Sequence, residues 1–430
     1  MSPKTAAAPL AGMRVLDLTH VFAGPQLTLT LAMLGAEVIR IEWRERLDHT
    51  RQLYAHATGG HVDASPVFAA VNHTKLSCLV NPRSPAGVEL VLRLAAVADV
   101  VIDNLAPGTM RRLGLDYARL RRARPDIIAL SLTGFGATGP YRSYVAYGPC
   151  INAVSGLTFM TGYEGRLPQS PSSGWTDHMA AQAGALAVML AIHQRRATGR
   201  GRSIDLAMAD VGLAALAAPL LDVQLGKAPA ERLGPRDERC APYGAYRCAG
   251  HDAWVAVSVT TEQQWLALCG ALGRKDWARD ARLASAAGRL VERDRLDEGV
   301  TAWTSSRSVA QATALLRSAG VPCAPCLSPS DLITDPNLTE RGFFRWLRHP
   351  RVGRHPVARM PGAGSETGRL GPRRRAPLLG EHTRYILRDV LGLHDKALAD
   401  YERRGAIELT GGVGRKEGTA RNPRRTGPES

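Results

Sequence analysis

Asp177 is the residue whose setting points most directly to chemistry. It stands at the head of 178–192, a run that is almost wholly apolar and is predicted as part of a buried helix over 178–196. One reading of the aspartate is structural, because Asp is a favoured helix N-cap. The other is chemical. The helix dipole and the free N–H groups of the first turn favour the anion, and an accessible carboxylate held there can act as a nucleophile. The approach to it, Pro171-Ser172-Ser173-Gly174, is predicted as a flexible loop.

Other motifs carry less. His20-Val21-Phe22-Ala23-Gly24-Pro25 follows an apolar run as the first turn of a dinucleotide fold would, but G-x-G-x-x-G is missing, so nicotinamide chemistry loses its main support. Cys323-Ala324-Pro325-Cys326 is a single C-x-x-C without a second pair or a His pair at ligand spacing. No metal site is expected from it, and buried or half-buried thiols are the simpler reading. There is neither a G-x-S-x-G elbow nor a P-loop.

The elements that must position Asp177 follow from apolar periodicity. Strands are predicted at 14–19, 36–41, 100–103 and 127–132, with helices at 25–34 and 84–97 between them. Alternation of apolar strands with helices implies a parallel sheet covered on both faces. After the 178–196 helix comes Thr198-Gly199-Arg200-Gly201, then a short strand and a long helix within 203–225. Residues 228–244 read as a linker rich in Pro, Arg and Gly. A strand at 251–259 follows, then helices at 261–272, 289–304 and 308–319 and a strand near 321–324, together a small α+β unit. Thr261 and Gln264 form a capping box. Residues 340–375 are expected as an extended return path and 381–391 as a last helix. The division is therefore 1–227, 228–338, 339–410, and a tail at 411–430 expected to be disordered.

In 430 residues, 55 Lys and Arg face 39 Asp and Glu, a net charge of +16. Such a charge favours anionic ligands. Ten Arg against two Glu fall within 340–376. No zinc-finger spacing, RNP-type aromatic box or basic zipper supports specific nucleic-acid binding. Seven Cys, an odd number, do not make a disulfide framework. With no membrane-length apolar run and no signal pattern, a cytoplasmic protein with reduced thiols is expected.

Several segments, in order, resemble the CaiB/BaiF (family III) coenzyme A transferases. They are Leu10 to Thr19 with Ala23-Gly24-Pro25; Leu34-Gly35-Ala36-Glu37-Val38-Ile39-Arg40-Ile41-Glu42; Ala98 to Asn104 with Pro107-Gly108 and Arg112-Leu113-Gly114; Ser131 to Gly136 with Thr138-Gly139-Pro140-Tyr141; Thr198-Gly199-Arg200-Gly201 with Ile204-Asp205-Leu206; Gly320-Val321-Pro322-Cys323; and Ala376 to Thr383. The resemblance spans about 10–405. It implies an α/β protein with a Rossmann-like large domain built from both chain ends, an inserted small α+β domain, and an interlocked homodimer. It also implies CoA transfer from an acyl-CoA donor to a carboxylic acid, with no permanently bound cofactor, and aspartyl anhydride and aspartyl-CoA thioester intermediates.

Residue by residue, Asp177 matches the family's catalytic Asp. Val21 and Ala23 match its first CoA loop, and Val80, Asn81, Pro82 and Arg83 a stretch along the nucleotide. Asn104, Leu105, Ala106 and Arg112 match the next loop; Thr133, Gly134, Phe135 and Gly136 match the one passing the pantetheine arm. Where some members have an Arg after the second strand, this chain has Trp43 and then Arg44; Trp43 stacking on adenine or Arg44 serving the nucleotide are the two expectations. The Gly-rich active-site loop of the formyl-CoA member has no counterpart in 228–260. The alternatives are an acyl-CoA racemase of the same fold, whose His is replaced here by Tyr147, and a non-catalytic CoA-binding protein.

Overall fold

The computed structural model describes residues 8–53, 60–171, 174–227, 232–362, 364 and 370–409. The tail at 411–430, expected to be disordered, and Ser172 and Ser173 of the approach loop lie outside them.

Six strands, β1 Arg14–Asp17, β2 Glu37–Glu42, β3 Leu76–Leu79, β4 Val100–Asp103, β5 Ile128–Thr133 and β6 Arg202–Ala207, make one sheet in the order β3-β2-β1-β4-β5-β6. Every pair is parallel. This is the doubly wound order. Alternate residues serve opposite faces. Val15, Val38, Val100 and Ile102 pack under the Ala23–Met33 and Trp175–Thr198 helices. Leu16, Ile39, Ile41 and Val101 pack under the Pro85–Ala96 helix and the C-terminal segment. β3 was not among the predicted strands. It has four residues, and one of them, Ser77, is a buried polar group whose hydroxyl donates to Glu42 at 2.7 Å.

The 178–196 helix begins earlier, at Trp175, and is not buried all round. One face, with Ala180, Ala181, Gly184, Ala185 and Val188, meets the Ala23–Met33 helix so closely that a Cβ on Gly184 would lie 2.3 Å from Leu27 Cδ1. On the other face Leu186 and Leu190 are exposed. Gly199 ends the helix at φ +69°, where glycine is least strained. A Cβ on Gly201 would lie 2.0 Å from the Ile127 carbonyl oxygen. The long helix expected before 225 is broken into Met208–Ala214 and Ala217–Gln224. Pro219 is the reason: its ring would clash with the Ala215 carbonyl, so the helix restarts two residues before it.

Residues 240–326 have their own core, in which Trp265 and Trp277 stack at 5.8 Å over Leu268, Leu296, Val300 and Leu316. Its antiparallel sheet is β7 Tyr243–Arg247, β8 Trp254–Ser258 and β9 Cys323–Pro325. β7 therefore starts inside the stretch expected as a linker. The 289–304 helix arrives in two pieces, Ala286–Val291 and Arg293–Ser305. The Thr261–Gln264 capping box is complete. Cys323 is half-buried on β9 and Cys326 is exposed beyond it. Three residues apart along extended chain, they point to opposite faces. Among the described residues all seven cysteines are free, and no group of acidic, His and Cys side chains could hold a metal. No described helix is long and apolar enough to cross a membrane.

The return path is not simply extended, because β10 Phe344–His349 and β11 Gly353–Ala358 form an antiparallel hairpin. The chain then covers the outer edge of β3. His382 N–H donates to the Ser77 carbonyl at 2.9 Å, Leu79 N–H to Thr383 Oγ1 at 2.9 Å, and Asn81 N–H to the Ala406 carbonyl at 2.8 Å. The last helix expected at 381–391 is Thr383–Tyr385 continued by a wider, π-type turn at Ile386–Val390, and a further helix follows at Asp395–Arg403.

Beneath the carboxyl halves of β1, β2 and β3 lies a set of fully buried charges: Asp17, Arg40, Glu42, Asp48, Arg51 and Lys75. Arg40 bonds Asp48 and lies 3.6 Å from Asp17; Arg51 grips Glu42 at 2.7 and 2.8 Å; Lys75 meets Asp17 at 3.2 Å. Burial alone would raise the Glu42 carboxyl, but Arg51, Arg40 and Ser77 bring it down to about 2.

Two outcomes are expected. Thr383→Val leaves the buried Leu79 N–H unpaired and lowers stability by about 1–3 kcal/mol in urea titrations, whereas exposed Thr334→Val stays within about 0.5 kcal/mol. Arg40→Met leaves buried Asp48 without its ion-pair partner and Asp17 with Lys75 alone, and costs about 3–5 kcal/mol near neutral pH. The sign for Glu42 follows from its lowered folded pKa. Its contribution is complete above the ordinary carboxylate range and is lost as pH falls toward about 2. Urea midpoints measured from pH 6 down to pH 2 check both.

Candidate active site

Because the sheet is parallel, all its carboxyl ends lie along one edge. Loops 20–23, 43–46, 80–83, 104–107 and 134–136 leave the sheet there. The chain crosses over in opposite directions from β1 and β4, which opens a crevice between their loops. A cavity of about 250 Å³ occupies it. Of the residues anticipated from sequence, Val21, Ala23, Asn104, Leu105, Ala106, Thr133, Gly134 and Asp177 line this cavity. A more open hollow of about 650 Å³ at Tyr163, Glu164, Arg166, Leu167 and Gln169 borders no strand end.

The first loop is held in an unusual shape. Val21 has φ +70°, which strains a β-branched residue. Its N–H donates to both Asp48 carboxylate oxygens, at 3.2 and 3.3 Å. Asn104 clamps the same loop from β4. Its Oδ1 accepts the His20 N–H at 2.7 Å, and its Nδ2 donates to the His20 carbonyl at 2.8 Å. Gly24 is required at this approach, since a Cβ there would lie 2.4 Å from Thr19 Cβ and 3.0 Å from Asn104 Cγ.

Asp177 is not the N-cap. Gly174 holds that place, and Asp177 is the third residue of the helix. It is half-buried and faces the first loop. Burial pushes its carboxyl pKa above the ordinary value; His178, the Asp177 N–H and the Ala23 N–H pull it back only in part. Beside the helix terminus, which favours the anion, burial therefore acts in the opposite direction. A second acid lies below the Asn104 loop. Burial raises Asp103 to about 7, against the Leu105 N–H and the Ser131 hydroxyl, which lower it.

The remaining anticipated residues sit along the same edge but outside the cavity. Arg44 is exposed and paired with Glu408 at 2.8 Å. Trp43 is buried, edge-on to His20 at 6.0 Å between ring centres, so the expected stacking on a ligand's base is excluded in this arrangement. Val80 is buried and bridges Ile407, Pro82 is buried, and Asn81 is tied to the C-terminal segment. Arg83 is exposed, and Arg112 is exposed with Nη2 donating to Thr109 Oγ1 at 2.7 Å. Phe135 contacts the stacked Tyr141–Tyr144 pair. Gly136, at φ +80°, donates its N–H to Thr133 Oγ1 at 3.0 Å, and Ala137 N–H donates to Asp205 at 2.8 Å.

Sequence reasoning missed His20, Arg46, His49, Tyr144 and Met208 as cavity walls, and it noted Tyr147 only as a replacement. Burial lowers the His20 pKa, outweighing Asp48 and Glu42. The tyrosines cluster in a loop just after β5, a signal that could have been used. Arg46 and His49 flank the loop buttress Asp48, and nothing local marks them.

The chain has counterparts among known proteins. The CoA-transferase family III model matches residues 10–383. The chain is 32% identical over 400 residues to succinyl-CoA:glutarate CoA-transferase of Mus musculus, covering 93% of this chain and 90% of that one. It is 31% identical over 425 residues to formyl-CoA:oxalate CoA-transferase of Rhodopseudomonas palustris, covering 93% and 97%. The solved CaiB/BaiF family protein from Brucella suis superposes with a TM-score of 0.82 at 31% identity, covering 90% of this chain and all of that one. With its parallel sheet, its crevice and a match along nearly its whole length, this chain belongs to CoA-transferase family III and is a CoA-transferase.

Proposed function

We propose that Asp177 carries the acyl group while CoA passes from an acyl-CoA donor to a carboxylic acid. The observation that supports this most is that Asp177 is the only carboxylate among the described residues lining the crevice. The Asp177 carboxylate attacks the donor thioester carbonyl; the C–S bond breaks, leaving an aspartyl–acyl anhydride and CoA thiolate. The thiolate attacks the aspartyl carbonyl, forming aspartyl-CoA thioester and releasing the donor acid. The acceptor carboxylate attacks that thioester, giving a second anhydride and thiolate again. The thiolate then takes the acceptor acyl group and restores the Asp177 carboxylate. Each exchange is split into easier steps. The Ala23 N–H, which favours the charged Asp177 carboxyl, is suited to support the aspartyl oxygen as charge develops there.

On this reading CoA lies along the carboxyl edge of the sheet. From β3 to β5 there are four strand steps, about 19 Å, so one extended ligand can run from the Val80–Arg83 loop to the Thr133–Gly136 loop. Arg83 and Arg112 are exposed guanidiniums on that edge, suited to phosphate. The proposed division has residues 228–338 as an inserted unit, which the separate Trp265–Trp277 core supports. The chain works as an interlocked homodimer. Leu186, Leu190, Leu213, Leu220 and Leu221 are exposed on the helices Trp175–Thr198, Met208–Ala214 and Ala217–Gln224, apolar side chains that a partner surface would cover.

Asp177→Asn is expected to abolish transfer while CoA affinity stays within a few-fold, and brief mixing of wild type with an acyl-CoA, then borohydride or hydroxylamine, should mark Asp177 in the mass spectrum. Because burial raises the Asp177 pKa, the acid limb of kcat/KM should lie above the ordinary carboxylate range, with activity falling as pH drops through it. The limb should persist in Asp103→Asn, which removes the other raised carboxyl. Sedimentation should give twice the 46.2 kDa chain mass; a monomer would end the dimer reading.

A further inference from the structure

Arg46 ends the short helical turn Arg44–Arg46 after β2 and lines the same cavity as Asp177. Its neighbour Arg44 is occupied by Glu408. Arg46 has no side-chain hydrogen bond or ion pair among the described residues, and its side chain is exposed. The cavity is lined by one arginine and one carboxylate, with no lysine or second acid among its described walls. Burial disfavours charge on His20, so the fixed charges facing a ligand here are Asp177 and Arg46. The volume, about 250 Å³, is below the roughly 300–1,000 Å³ of sites for drug-sized ligands. It suits a short acid rather than a nucleotide.

We propose that Arg46 selects the acid exchanged on Asp177 by pairing with the far carboxylate of a short dicarboxylic acid. This rests on Asp177 as the acyl carrier and adds the substrate class. When one carboxyl of such an acid is joined to Asp177, the other remains an anion in a half-closed cavity whose wall already holds a carboxylate. A guanidinium offers that anion a paired, planar set of donors. A monocarboxylic acid of the same length leaves Arg46 to water. His49, on the same wall, adds a donor near the same end.

The test compares glutaryl-CoA with pentanoyl-CoA, equal in chain length and differing at the terminal carboxylate. CoA thiol release in a single turnover, with hydroxylamine present, reads the first exchange with no acceptor required. Wild type should favour glutaryl-CoA in the single-turnover rate at subsaturating thioester by about 10–100-fold, the worth of a charge-assisted pair. Arg46→Ala should remove that ratio, and Arg46→Lys should restore part of it. A wild type without preference overturns the proposal. So does an Arg46→Ala loss equal for both thioesters, which would assign Arg46 to CoA phosphate. Calorimetric binding of both thioesters to Asp177→Asn separates the two readings. Turnover surviving in Asp177→Asn discards the acyl carrier, whereas equal binding of the two thioesters to that variant discards the role of Arg46.

Discussion

The carboxylate of Asp48 is where the architecture and the site meet. It is buried, it bonds Arg40, and it accepts the N–H groups of Thr50 and of strained Val21. A valine at positive φ persists only where its surroundings over-determine it. Here they do, because Asp48 pulls on one side of the turn and Asn104 clamps His20 on the other. The Ala23 N–H that faces Asp177 takes its position from that turn. Arg40 lies between Asp48 and Asp17, and Asp17 keeps Lys75 at 3.2 Å as a second cation, so Asp48 depends on this guanidinium the more heavily of the two. The loop that faces Asp177 is thus held by buried charges that lie outside the cavity walls.

The same buried set explains why the two chain ends must come together. Glu42 is shared by Arg51, Arg40 and Ser77, and the Ser77 hydroxyl in turn accepts the Gly380 N–H at 2.9 Å. Arg51 also pairs with Asp63, whose carboxylate accepts the Leu379 N–H at 2.8 Å. A buried pair of this kind is weak evidence for net stability, but losing one member is severe. The segment near 380 is therefore fastened to the β2–β3 edge by directional polar bonds as well as by apolar contact. This also shields an edge strand that would otherwise offer unpaired N–H and C=O groups.

What could be read from the residues was what depends on local pattern. β1, β2, β4, β5 and β6 are short apolar runs between turn residues, and the Thr261–Gln264 box states its own helix start. β3 was missed because its polar member is satisfied by Glu42, thirty-five residues away. The Met208–Gln224 break was legible in Pro219 and was passed over. In the site, Val21, Ala23, Asn104 and Thr133 came from the family resemblance, and they lie on loops that a parallel sheet brings to one edge. Arg46 and His49 did not, because their place depends on how Asp48 folds its loop back over β1. The burial of Asp177 was not legible for a related reason: a helix terminus is visible in sequence, while the first loop, at Ala23, comes from far along the chain.

The proposed route through anhydrides requires that water be kept out, and the chain has no Gly-rich segment in 228–260 to serve as a cover. The wall opposite the first loop is instead aromatic. Tyr144 and Tyr147 line the cavity, Tyr141 stacks on Tyr144 at 5.1 Å, and Phe135 braces both edge-on. Their loop is anchored at its root, where Thr133 and Asp205 accept the N–H groups of Gly136 and Ala137. In this single chain all three tyrosines remain more than half exposed. Rings left so open can exclude water only when something further covers them. On the dimer reading that cover is the second copy, drawn in by the leucines exposed on the neighbouring helices, so association and protection of the intermediates become one requirement.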